Sequence, residues 1–136
     1  MSTTALIVED EIFVALDLER ILTDAGYRVK AIAADSTGAI EAAGDCHFAL
    51  VDVNLRDGPT GPGLAEKLAR DYGVKVIFVT ANPAQIGPVP GALGYIRKPF
   101  SEAAILAAAA MASAGMPHGD PANDDLVLLN ADVSGG

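Results

Sequence analysis

Five short runs read as β-strands, Thr4–Val8, Arg28–Ala33, Phe48–Val53, Val74–Thr80 and Gly94–Ile96, and segments with helical spacing fall between most of them. That alternation permits few folds. From Glu11 to Ala25, the residues Val14, Leu18, Ile21, Leu22 and Ala25 share one helix face, and Gly26 follows as a stop. Ser36–Ala43, Gly63–Tyr72 and Ser101–Ala114 read as further helices, with Ser36 and Ser101 as candidate caps. Strand-helix-strand repeats of this length imply a doubly wound, five-stranded parallel sheet of flavodoxin-like type with helices on both faces. In open sheets of this kind, ligands bind outside the carboxyl ends of the strands.

Those ends carry the chemistry. Glu9-Asp10-Glu11 follows the first run, Asp52 closes the third, Thr80 closes the fourth and Lys98 follows the fifth in Tyr95-Ile96-Arg97-Lys98-Pro99-Phe100. Carboxylates gathered at one sheet edge repel one another, so the cluster requires a divalent cation, a lysine or bound protons. Acids, a hydroxyl and a lysine together make a site for a phosphate and a metal.

Composition narrows the partners. The chain has 136 residues, is 51% apolar with a mean hydropathy of +0.33, and has room for one domain with a core. A formal charge of −9 and a pI near 4.4 disfavour nucleic acid and anionic membranes as partners. One cysteine, Cys46, makes no internal disulfide, and neither a signal peptide nor a membrane-spanning run is present, so a cytoplasmic protein is expected. Cys46, His47 and His118 lack metal-ligand spacing and read as structural or solvated.

Taken in order, paired acids after the first strand, Asp after the third, Thr-Ala after the fourth and Tyr-x-x-Lys-Pro-Phe around the fifth, this sequence resembles the receiver domain of two-component response regulators. The resemblance covers residues 1–114, and 115–136 reads as a flexible C-terminal tail whose linker is rich in Gly, Pro and Asp. It implies that Asp52 is the phosphoacceptor. It implies Mg²⁺ held by Asp10, Asp52 and the backbone carbonyl of Asn54, with Glu9 on a metal-bound water. Thr80 and Lys98 would contact the phosphoryl oxygens, Thr80 and Tyr95 would form the switch, and the Lys98–Pro99 bond would be cis. The implied partner is a sensor histidine kinase, and the implied role is signalling by protein contact or acting as a phosphate sink. Enzyme activity would be limited to weak autophosphorylation from small donors and self-dephosphorylation.

Phe78-Val79-Thr80-Ala81 and the Asp52–Gly61 segment are also similar to the receiver subgroup nicknamed FATGUY, often paired with kinases of the HWE or HisKA2 type; that subgroup has Ala and Gly where this chain has Val79 and Ala81. Two other readings stand beside the receiver. A haloacid-dehalogenase-like phosphohydrolase would want an acid at position 54, where Asn54 stands. A flavodoxin-like binding module would want Ser, Thr and Gly where Glu9-Asp10-Glu11 stands.

Other surfaces follow from spacing. Ile12, Phe13 and Leu16 lie off the core face of the first helix and, with Pro99 and Phe100, form a candidate kinase-docking patch. Glu11 reads as a first-turn acid favoured by the helix dipole, without a catalytic part. Between Thr80 and Tyr95, where receivers usually carry a full fourth helix, Pro83, Gly87, Pro88, Pro90 and Gly91 forbid more than one turn near Pro83–Ile86. That segment is expected to be mobile until phosphorylation lets Ile86, Val89 and Leu93 pack. Leu126–Leu129 reads as an added edge strand or a partner-binding segment.

Overall fold

The computed structural model describes residues 3–114 and 125–129. Six strands form one sheet: β1 Thr4–Val8, β2 Arg28–Ala33, β3 Phe48–Val51, β4 Lys75–Thr80, β5 Ala92–Arg97 and β6 Leu126–Leu128. Their order is β2-β1-β3-β4-β5-β6, with β1 to β5 parallel and β6 antiparallel to β5. The expected flavodoxin-like core of five parallel strands is thus present, and β6 adds an antiparallel edge strand, one of the two readings given to Leu126–Leu129. Within the tail expected to be flexible, Leu126–Leu128 forms β6, flanked by Asp125 and Leu129; residues 115–124, including His118, and 130–136 lie outside the described residues.

Side-chain alternation sorts the core into two layers. Leu6, Val8, Ala49, Val51, Val76 and Phe78 face α2 (Ser36–Ala42) and α3 (Gly61–Tyr72), where Leu64 and Leu68 meet them. Ala5, Ile7, Leu50, Ile77, Val79 and Ile96 face α1 (Ile12–Asp24) and α4 (Glu102–Ala114), packing on Leu18, Ile21, Leu22 and Ile105. Burying strands on both faces explains their near-continuous apolar runs.

The helix ends follow capping chemistry. Gly26, at φ +98°, follows α1, and the N–H of Tyr27 returns to the carbonyl of Leu22 at 3.0 Å. Asp35, rather than Ser36, caps α2 by accepting from the N–H of Gly38 at 2.9 Å. Ser101 Oγ accepts from the N–H of Ala104 at 3.1 Å at the start of α4.

Segment 81–91 forms a single 3-10 turn, Pro83–Gln85, as the prolines require. The expectation that its apolar side chains remain unpacked without a phosphoryl group is corrected. Ile86 and Val89 are both buried in the α3-side core, and Leu93 is half-buried. Loss of helical hydrogen bonds does not remove the gain from burying two aliphatic side chains, roughly 1.5–3 kcal/mol each.

Candidate functional site

Register brings the site together. Val8 pairs with Val51, Val51 with Phe78, and Thr80 with Arg97, so Glu9, Asp52, Thr80 and Lys98 sit at one sheet edge. Backbone bonds tie the residues just past the strands: Asp52 N–H to the Val8 carbonyl at 3.0 Å, and Lys98 N–H to the Thr80 carbonyl at 2.9 Å. The Lys98–Pro99 bond is cis, as the resemblance implied.

Lys98 Nζ lies 2.7 Å from Glu9 Oε1, 2.8 Å from Asp52 Oδ2 and 3.1 Å from Glu11 Oε1. An ammonium has three donors, and here each has a carboxylate within reach. Glu9 and Asp52 are buried, whereas the Glu11 side chain is 64% exposed. Glu9 Oε1 is fully covered yet accepts no well-angled hydrogen bond, so its short contact with Lys98 is an ion pair that leaves acceptor capacity unused. Asp52 Oδ1 accepts from the N–H of Val53 at 2.7 Å.

Burial pushes the Glu9 carboxyl up from 4.5 to about 7, against the lowering effect of Lys98 and the Glu11 backbone N–H. Burial on its own would lower Lys98; the bonds to Asp52 and Glu9 outweigh it and hold the ammonium above its ordinary value.

Carboxylate oxygens of Glu9, Glu11 and Asp52 lie within 4.8 Å of one another. Hard oxygen donors, one of them a buried carboxylate oxygen whose acceptor capacity Lys98 does not use up, fit Mg²⁺. Two details differ from the sequence reading. Asp10 is exposed and stands outside this group, while Glu11, read there as having no catalytic part, enters it. Glu11 occupies the N-cap of α1 in an extended conformation, one residue before the first turn in which it was expected, and sends its carboxylate to Lys98 instead of capping. Its adjacency to Glu9-Asp10 was the available signal.

Thr80 is fully buried, and its Oγ1 accepts from the N–H of Asn82 at 3.0 Å. The N–H of Gln85 bonds the carbonyl of Asn82 at 3.0 Å, and Asn54 Nδ2 donates to Gln85 Oε1 at 3.0 Å. A belt of hydrogen bonds thus joins the ends of β3 and β4 beside Asp52. Tyr95 is half-buried and packs on the layer that holds Ile86 and Val89. Gly61, at the start of α3, fits where no other residue could, because a Cβ there would stand 2.1 Å from the carbonyl oxygen of Asp52.

Ile12, Phe13 and Leu16 are exposed on α1, Phe13 at 84%. An open cleft of about 490 Å³ lined by Glu11, Val14, Asp17, Ala81, Lys98, Pro99 and Phe100 lies beside them. Cys46 is buried and donates to the Ala42 carbonyl, while His47 accepts from the N–H of Thr4 through Nδ1. Both serve the fold. Among the described residues no helix is long and apolar enough to cross a membrane.

The family model described as "Response regulator receiver domain" matches residues 5–110. The phyllosphere-induced regulator PhyR of Methylorubrum extorquens is 35% identical over 112 residues, 79% of this chain and 42% of that protein. The chain therefore spans about two-fifths of the length of this curated relative. The solution structure of the Erythrobacter litoralis PhyR receiver domain matches with a TM-score of 0.76 at 30% identity, covering 88% of this chain and 95% of that one. A CheY-like receiver domain protein from Methanospirillum hungatei matches with a TM-score of 0.68 at 28% identity, covering 78% and 89%. These matches give no support to the phosphohydrolase or flavodoxin-like readings. Strand order, the acids at the sheet edge and the extent of the match lead to one conclusion: the chain belongs to the response regulator receiver domain family.

Proposed function

We propose that Asp52 accepts a phosphoryl group from the phosphohistidine of a sensor kinase, and that the chain then signals by protein contact or drains phosphate from the kinase. The observation that carries this is the placement of Asp52 Oδ2 at 2.8 Å from Lys98 Nζ in a buried acid cluster at the sheet edge. A carboxylate oxygen of Asp52 attacks phosphorus, a P–O bond forms, the P–N bond to histidine breaks, and the imidazole leaves with the bonding pair and takes up a proton. Lys98 offsets the charge that accumulates on the phosphoryl oxygens, and the Thr80 hydroxyl donates to one of them, exchanging its present bond with Asn82. Holding Asp52 at a strand end fixes the line of attack, so positioning supplies most of the rate.

Mg²⁺ would be held by Glu9, Asp10, Asp52 and the Asn54 carbonyl, with Glu11 as a further carboxylate in reach, and when bound it supplies positive charge that lets two anions approach. The exposed Ile12, Phe13 and Leu16 with Pro99 and Phe100 form the kinase-docking surface, in the cytoplasm, and the FATGUY likeness favours HWE or HisKA2 kinases. A Bartonella quintana protein matched at 27% identity is described as the anti-anti-sigma factor PhyR, which makes a sigma-regulating pathway the leading setting for this chain. The test is intact mass after incubation with Mg²⁺ and a small phosphodonor. One phosphoryl adduct on the wild type and none on Asp52→Asn is expected. An adduct that survives in Asp52→Asn, or forms equally in excess chelator, would refute the assignment.

A further inference from the structure

Without β6, β5 would be the open edge of the sheet, with unpaired N–H and C=O groups. The occupant fits this edge on three counts. Leu126 is buried in the layer beneath α4, near Ile96 and Ile105. Val127 pairs with Tyr95, and Leu129 donates its N–H to the Leu93 carbonyl at 2.8 Å while packing on the opposite layer. Gly94 supplies the third count, since a Cβ there would stand 2.5 Å from the carbonyl oxygen of Val127. The strand approaches β5 through a gap that only glycine leaves. None of Leu126, Leu129 and Gly94 belongs to the phosphoryl site.

We propose that the β5 edge is a peptide-binding site for an extended aliphatic strand running antiparallel to Gly94–Ile96. Its occupant in cis is Leu126–Leu128, and its partner in trans is the same segment of a second copy of this chain. Residues 115–124 tether the strand to α4. A tether of this length holds its end at an effective concentration on the order of 1 mM. At that effective concentration, a trans dissociation constant of about 0.1 mM would correspond to a strand seated about ten to one in cis. Self-occupancy dominates in dilute solution, and exchange requires a vacated edge on one copy and a free strand on another.

Two full-length variants create that pair. Leu126→Asp places a carboxylate where the apolar plug sits and vacates the edge, leaving β5 intact. Gly94→Val blocks the edge and frees an unaltered Leu126–Leu128. Mixing ¹⁵N-labelled Leu126→Asp with unlabelled Gly94→Val at about 0.5 mM each, in 0.15 M salt, should shift the amides of Gly94, Tyr95 and Ile96 saturably and give a one-to-one complex by light scattering. Each variant alone should remain monomeric. A capped Asp-Leu-Val-Leu-Leu peptide should shift the same amides in Leu126→Asp, with at least tenfold weaker apparent affinity for wild type. If Leu126→Asp does not fold, Val127→Pro replaces it as acceptor, because proline weakens β6 by removing a backbone donor. No complex up to about 1 mM, equal peptide affinity for wild type and the vacated variant, or a complex that forms from Leu126→Asp alone would overturn the proposal.

Discussion

Raising the pH from 5 to 8 without Mg²⁺ should destabilise this protein, and Glu9 sets the size of the effect. Its carboxyl is held near 7 in the folded chain against an ordinary 4.5, chiefly because it is buried. Between those values the folded state keeps a proton that the unfolded state has released, so the slope of unfolding free energy with pH is negative. Lifting the carboxyl from 4.5 to about 7 corresponds to roughly 3 kcal/mol, fully present as stability below pH 4.5 and lost as pH rises through 7. Asp57 and Asp71 are shifted downward, so their contributions change below this window, and the raised Lys98 changes above it. Urea unfolding at pH 5, 6, 7 and 8 measures the slope, and Glu9→Gln, which cannot titrate, should flatten it. Mg²⁺ should reverse part of the loss above pH 7, because the metal takes the deprotonated carboxylate, and its apparent affinity should rise by up to tenfold per unit up to about pH 7. Stability that is constant or increases between pH 5 and 7, or a slope unchanged in Glu9→Gln, would refute the reasoning.

Lys98→Ala should lose about 3 kcal/mol at pH 8 and much less at pH 5, where Glu9 takes up a proton, and it should blunt the phosphorylation-induced spectral changes; denaturant titrations and amide spectra check both. Gly61→Ala should cost about 2 kcal/mol or more and slow phosphorylation of Asp52, since its new methyl displaces the backbone that carries the acceptor; a normal phosphorylation rate would show that the α3 start moves instead. Gln85→Ala should change the lifetime of the Asp52 phosphate severalfold by releasing Asn54, with Gln85→Glu, which keeps the acceptor, restoring it. An equal change in an Asn54→Ala background would show that Gln85 does not act through Asn54.

How much was legible depends on how local the cause is. Val8 to Glu9 and Val51 to Asp52 mark abrupt passages from buried strand to charge, and a parallel sheet places all such passages at one edge, so Glu9, Asp52, Thr80 and Lys98 could be read from spacing. Pro83 and Gly87 act within their own turn, so the lost helix was equally readable. The burial of Ile86 and Val89 was not, because it depends on the α3-side surface that the folded sheet presents to them. Leu126–Leu128 shows the same limit. The apolar run Leu126–Leu129 has no periodicity to choose between an edge strand and a partner-binding segment, and its seat is decided by Gly94 and by the space beneath α4, both distant in sequence. Glu11 appeared to be a helix-dipole acid because nothing local indicates that Lys98, 87 residues away, reaches it.

The charge balance of the site explains why proton and metal should compete there, and why a phosphoryl group should upset the balance. Three carboxylates face one ammonium, so full ionisation leaves two negative charges uncompensated within a few ångströms. Water screens Glu11, which is mostly exposed, but not Glu9; burial is the main cause of its raised proton affinity, and the nearby charge of Asp52 adds a smaller push in the same direction. A divalent cation would remove the same deficit, which makes proton release from Glu9 the expected companion of Mg²⁺ binding. A phosphoryl group on Asp52 adds roughly one to two more negative charges and draws Lys98 toward its oxygens, away from Glu9 and Glu11. Glu11 then loses its only ion-pair partner among the described residues, at the N-cap of the helix whose exposed face carries Ile12, Phe13 and Leu16. The charge state of Asp52 is thereby linked, through one lysine, to the first turn of the surface that would meet the kinase.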